Sequence, residues 1–153
     1  NLLVICPLSA FQVWEEEYGI ITGNDPKQHI VRITKQHLER AIIPWLPQQF
    51  EIMLINYDKI GDRRFNAALQ ILLEQNNIFV ILDESHKIKT YDTERGIGAR
   101  YLAPFAKRRM ILTGTPMPNF HRDLWNQFNF LFKYKRFGNL NFSISLINHY
   151  LYG

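Results

Sequence analysis

Two short stretches hold most of the residues able to do chemistry. The first is Asp83-Glu84-Ser85-His86, which closes the apolar run Ile78–Leu82. A buried apolar strand that delivers two adjacent carboxylates to its tip is costly unless the charges find a partner. A hard cation with phosphate oxygens is a natural one, since Mg2+ keeps several waters and takes one or two carboxylates. Asp83 suits that metal, held through water, and Glu84 is placed to orient or deprotonate an attacking water. His86 can sense a γ-phosphate or tie this strand to the next. The plain alternative is that Asp83 and Glu84 cap the following turn and His86 fills an ordinary core or surface position. The second stretch runs from Ile111 to Asn119. Thr113 and Thr115 flank Gly114 at a strand end, and Pro116 and Pro118 fix the path onward. These hydroxyls can bond to the acidic strand and report its state, although a common strand-to-helix turn also uses Gly and Pro.

Both stretches need elements to position them, and the chain reads as alternating strands and helices. Apolar runs at Leu2–Pro7, Glu51–Asn56 and Ile78–Leu82 predict strands, Arg109–Leu112 reads as a further strand, and His29–Ile33 is a short strand candidate. Ser9-Ala10-Phe11-Gln12 fits a capping box that opens a helix to about Tyr18, with Gly19 to Pro26 as loop. Lys35–Ile43 predicts a helix ended by Pro44. Asp62 can cap a helix with Phe65, Ala68, Leu69, Leu72 and Leu73 on one stripe, ended at Asn76. Helices are also expected over Glu94–Leu102, after Asn119 as cap, and over Ile144–Leu151. Strands apolar throughout are buried on both faces, and helices between them imply right-handed crossovers. The fold class is therefore α/β, an open, mainly parallel sheet with helices on both faces. Ser9, Asn56-Tyr57, Asp83-Glu84 and Thr113-Gly114-Thr115 all follow strands, so they can share the carboxyl rim where such sheets bind ligands.

Composition sets the outer bounds. The chain has 153 residues, 46% apolar and 21% charged, enough for one globular domain. One cysteine, Cys6, excludes an internal disulfide and a cysteine-cluster zinc site. The net charge of +4 permits a polyanionic partner without demanding one. Basic residues gather between His86 and Arg109 and again at Lys133, Lys135 and Arg136. The chain opens at Asn1 inside a strand, so a piece of a longer protein is expected.

The ordered set of motifs is more specific than any one of them. Pro7-x-Ser9-x4-Trp14-x2-Glu17, then Asn56-Tyr57, Asp83-Glu84-Ser85-His86-Lys87-Ile88-Lys89, Leu112 to Asn119, and Asp123-Leu124-Trp125 resembles the Swi/Snf-type ATPases. These are double-stranded-DNA translocases of helicase superfamily two. The resemblance spans nearly the whole chain, and Thr-Gly-Thr-Pro followed by Leu-Trp separates it from RNA helicases with an Asp-Glu-x-His box. It implies a partial RecA-like lobe of the P-loop NTPase class over residues 1–132, with a following helical or linker segment over 133–153. It implies ATP and Mg2+ as cofactors, with Asp83 and Glu84 as the Walker B pair and His86 beside them. Thr113, Gly114 and Thr115 would couple ATP state to DNA. Ser9, Asn56, Tyr57, Lys87 and Lys89 would face double-stranded DNA, contacting backbone more than bases. A second RecA-like lobe would be the intramolecular partner and the setting intracellular, nuclear in a eukaryote. Trp14 and Trp125 are expected as core anchors. Ser85 and Thr90 depart from the commonest residues of the family pattern without removing a catalytic atom.

No glycine here is followed by Lys, so the Gly-x4-Gly-Lys-Ser/Thr phosphate loop is not in this chain. It is expected upstream of Leu2, and the chain alone is expected to bind ATP weakly and hydrolyse none. Two other readings stay open: a non-catalytic lobe holding DNA or protein, and a nuclease metal site at Asp83, Glu84 and His86.

Overall fold

The computed structural model describes residues 1–117, 119 and 123–132. Its strands are β1 (Leu2–Cys6), β2 (Ile30–Arg32), β3 (Ile52–Asn56), β4 (Phe79–Asp83) and β5 (Arg108–Leu112). All neighbours are parallel, in the order β2-β3-β1-β4-β5. The helices are α1 (Ala10–Thr22), α2 (Pro26–His29), α3 (Lys35–Glu39), α4 (Arg63–Gln75), α5 (Glu94–Leu102) and α6 (Asp123–Phe132).

Side chains alternate across a strand, so each strand feeds two layers. Leu3, Ile5, Met53, Ile55, Val80 and Leu82 join one core with Leu69 and Leu72 of α4, Leu102 of α5 and Phe130 of α6. Val4, Cys6, Leu54 and Ile81 join another with Phe11 and Tyr18 of α1. Helices thus cover both faces, as the unbroken apolar runs require.

Several boundaries differ from the sequence reading. Ser9 makes no side-chain cap bond, and Ala10 and Phe11 donate instead to the Pro7 and Leu8 carbonyls, so the capping box does not form. Helix α1 runs past Tyr18 to Thr22 and ends on Gly23 in the left-handed conformation, φ 73°. Part of the expected loop before Pro26 is therefore helical, and Pro26 itself starts α2 with Asp25 as cap. Helix α3 is short, and the chain then makes a 3-10 helix over Ile43–Gln48 around Pro44 and Pro47. Asp62 does cap α4, its carboxylate accepting from the Arg64 N–H. Helix α6 is described from Asp123, and the Asn119 N–H donates to the Asp123 carboxylate; residues 120–122, where the expected start falls, lie outside the described residues.

Strand β5 is the exception to double burial. It pairs only with β4 among the described residues, and Arg108, Met110 and Leu112 are exposed along one face. The Ile144–Leu151 helix, the Lys133–Arg136 cluster and the proposed unit 133–153 lie outside the described residues.

Candidate nucleotide and DNA site

Register brings the strand tips level. Cys6 pairs with Asn56, Ile5 with Leu82, and Asp83 with Leu112. Because every strand points the same way, Ser9, Asn56, Asp83 and Thr113 follow the same rim of the sheet.

Asp83 is the last residue of β4 and half-buried. The Trp14 indole N–H of α1 donates to its Oδ2 at 2.9 Å, and the Tyr57 hydroxyl donates to its carbonyl at 2.8 Å. Glu84 takes a left-handed conformation, φ 55° and ψ 50°, uncommon for a residue with a Cβ. That residue turns the strand directly into the 3-10 turn Ser85–Ile88. The Glu84 carboxylate then lies 3.2 Å from His86 Nδ1. The same nitrogen lies 3.1 Å from Thr113 Oγ1 and 3.4 Å from Thr115 Oγ1. The acidic tip and the hydroxyl-bearing segment therefore meet at one imidazole. Gly114 has an open Cβ position and no positive φ, so the backbone there does not require glycine.

The donor set fits a lightly held hard cation. Asp83 Oδ2 is held by the indole, while Oδ1 accepts no hydrogen bond among the described residues. No group of three or more His, Cys, Asp or Glu is arranged to hold a metal among those residues. Mg2+ with phosphate oxygens and waters needs no such cage. The negative charge at Asp83 also acts on its neighbours. Burial, aided by Asp83, pushes the Cys6 thiol up to about 12. Burial and then Asp83 push the Tyr57 phenol upward as well, which keeps it a donor.

The residues expected to face DNA divide in two. Ser9 and Lys87 are exposed and Lys89 is half-buried. Asn56 and Tyr57 are buried. Asn56 Oδ1 accepts from the Asp58 N–H at 2.7 Å, closing a local turn, and Tyr57 spends its hydroxyl on Asp83. Trp125 is a core anchor, 2% exposed and edge-on to Tyr91, and Trp14 packs against the second core while its indole N–H reaches the site.

Two buried amides escaped the sequence reading. Ser85 donates to Gln127 Oε1 at 2.6 Å, and Gln127 Nε2 donates to the Pro116 carbonyl at 2.6 Å. Asn126 Nδ2 donates to the Ile88 carbonyl at 2.8 Å. Both amides lie inside what reads as an amphipathic helix, where nothing but Asn-Gln on an otherwise apolar stripe could have betrayed them.

A profile of the SNF2-related domain matches residues 1–142. The chain belongs to the SNF2-related domain family. It is 31% identical over 129 residues to a helicase-like transcription factor of Oryctolagus cuniculus, covering 84% of this chain and 12% of that protein. It is 30% identical over 131 residues to the ISWI chromatin-remodeling complex ATPase ISW2 of Saccharomyces cerevisiae, covering 84% of this chain and 11% of that one. The SWI2/SNF2 ATPase core of Sulfolobus solfataricus, solved in complex with dsDNA, superposes with a TM-score of 0.68 at 26% identity. That match covers 95% of this chain and 27% of the archaeal one. The five-stranded parallel sheet is thus the RecA-like architecture of an SNF2 core, and the chain spans a small part of its relatives. No helix among the described residues is long and apolar enough to cross a membrane.

Proposed function

We propose that the protein carrying this chain is a DNA-dependent ATPase motor that translocates on double-stranded DNA inside the cell. Residues 1–132 form part of its first RecA-like lobe, and a second lobe completes the engine. The observation that carries this reading is the His86 imidazole, which lies within 3.5 Å of both the Glu84 carboxylate and the Thr113 hydroxyl.

Bound between the lobes, Mg2+ would supply charge neutralisation for the triphosphate, with Asp83 as its protein ligand through water. Trp14 fixes the Asp83 carboxylate, and Tyr57 fixes the strand end that bears it. Glu84 orients the attacking water, and its left-handed backbone sets the carboxylate apart from that of Asp83. His86 links Glu84 to Thr113 and Thr115, so a displacement at the acids reaches the Thr113–Thr115 segment. Ser9, Lys87 and Lys89 face the phosphates of the duplex. Asn56 and Tyr57 contribute through the turn they shape. The phosphate loop belongs to residues outside this chain, and the edge and face of β5 that are open among the described residues offer that segment a place.

The test is ATP turnover by the full-length protein with and without duplex DNA. Glu84→Gln should lower the DNA-stimulated rate by about 100-fold or more while ATP binding persists. Full turnover in that variant removes the role given to Glu84. DNA binding by the wild type without any ATP turnover would instead make the lobe a non-catalytic binding module.

A further inference from the structure

The loop after the acidic strand is held from behind by two neighbouring side chains of α6. Gln127 is fully buried and has both ends of its amide engaged. Its Oε1 accepts from Ser85, one residue beyond Glu84, and its Nε2 donates to the carbonyl of Pro116, one residue beyond Thr115. Swapping the amide ends would set its oxygen against the Pro116 carbonyl, so the two partners fix its orientation. Asn126, also fully buried, donates to Ile88, which closes the turn that carries Lys87. Two consecutive helix residues thus reach the acidic tip, the hinge after Thr115 and the base of an exposed lysine.

We propose that Gln127 is the positioning residue through which occupancy of the Lys87 loop by duplex phosphates is transmitted to the Glu84–Thr113 site. The inference rests on the motor reading and specifies its coupling. Ser85 is fully buried and cannot move relative to α6 without breaking a short bond to Gln127, and the same amide ties the exposed Pro116 to that helix. A pull on the Lys87 turn acts on Asn126, and α6 carries it to Gln127. The hinge then shifts with the acidic tip instead of independently of it. The His86 contacts join the same segments without engaging α6.

The test uses the full-length protein with Gln127→Met, which keeps the side chain's length and removes the amide. Stimulation of ATP turnover by duplex DNA should fall about tenfold. Turnover without DNA should stay near wild type and DNA affinity in the absence of nucleotide should hold, while the melting temperature falls because the buried Ser85 hydroxyl loses its acceptor. Ser85→Ala, which frees the acidic tip but spares the Pro116 bond, should show the same loss and covers the case where Gln127→Met does not fold. Unchanged stimulation in the folded variants overturns the inference and leaves the motor reading standing. Basal and stimulated rates falling together make Gln127 a structural residue only, which also overturns it. A wild type that turns over ATP at one rate with or without DNA defeats the motor reading itself, and the inference with it.

Discussion

At the scale of single residues, the acidic corner is built by neighbours far away in sequence. Removing the indole N–H with Trp14→Phe frees Asp83 Oδ2. The Mg2+ concentration for half-maximal ATP turnover in the full-length protein should then rise several-fold, about the worth of one charge-assisted hydrogen bond. An unchanged requirement would restrict Trp14 to packing. Cys6 offers a test on pH. Its thiol ordinarily ionises near 9.0 and is pushed to about 12 in the fold. The unfolded chain therefore loses this proton first, so the stability tied to Cys6 is full below pH 9 and declines from about 9 towards about 12. Thiol-directed reagents at pH 8 should leave Cys6 untouched in the folded protein and modify it on denaturation. The roles of Asp83 and Glu84 were legible because two carboxylates at an apolar strand tip demand a partner. The indole at Asp83 was not, because Trp14 looks like any amphipathic-helix aromatic until α1 is docked across the sheet.

At the scale of elements, apolar runs identified β1, β3 and β4, the shorter candidates at His29–Ile33 and Arg109–Leu112 also proved to be strands, and the helix over Glu94–Leu102 matches its expected limits. The misreading at Ser9 has a local cause. A helix start is decided by which acceptors the first N–H groups find, and there the Pro7 and Leu8 carbonyls outcompete the expected side-chain cap. Gly96 and Gly98 serve packing rather than phosphate binding. In the fold, a Cβ on Gly98 would lie 1.8 Å from the Ile60 carbonyl oxygen, and one on Gly96 2.5 Å from that of Thr90. They are the faces on which α5 meets backbone. Gly98→Ala should cost about 3 kcal/mol by chemical denaturation. Gly114→Ala, with open space around it, should stay within about 0.5 kcal/mol. Equal losses at both positions would refute this account of α5.

At the scale of the molecule, the sheet ends at β2 and at β5, each paired on one side only among the described residues. Among those residues β5 offers an unpaired edge beside exposed Met110 and Leu112, a combination that templates strand addition. The 153-residue chain alone should self-associate at micromolar concentration, and Met110→Lys should raise its solubility without lowering its melting temperature. Sedimentation of both forms decides the matter, and equal behaviour would clear β5 of that role. The strand order has a kinetic consequence too. Strand β1 lies at the centre of the sheet, with Leu2 paired to Ile52 on one side and Phe79 on the other. During synthesis this apolar segment emerges early and can pair with β3, but one of its two edges stays open until β4 leaves the ribosome. The last residue of β4 is Asp83, so the nascent chain cannot bury its heart before it has made its acid, and chaperones have that whole interval in which to bind Leu2–Cys6.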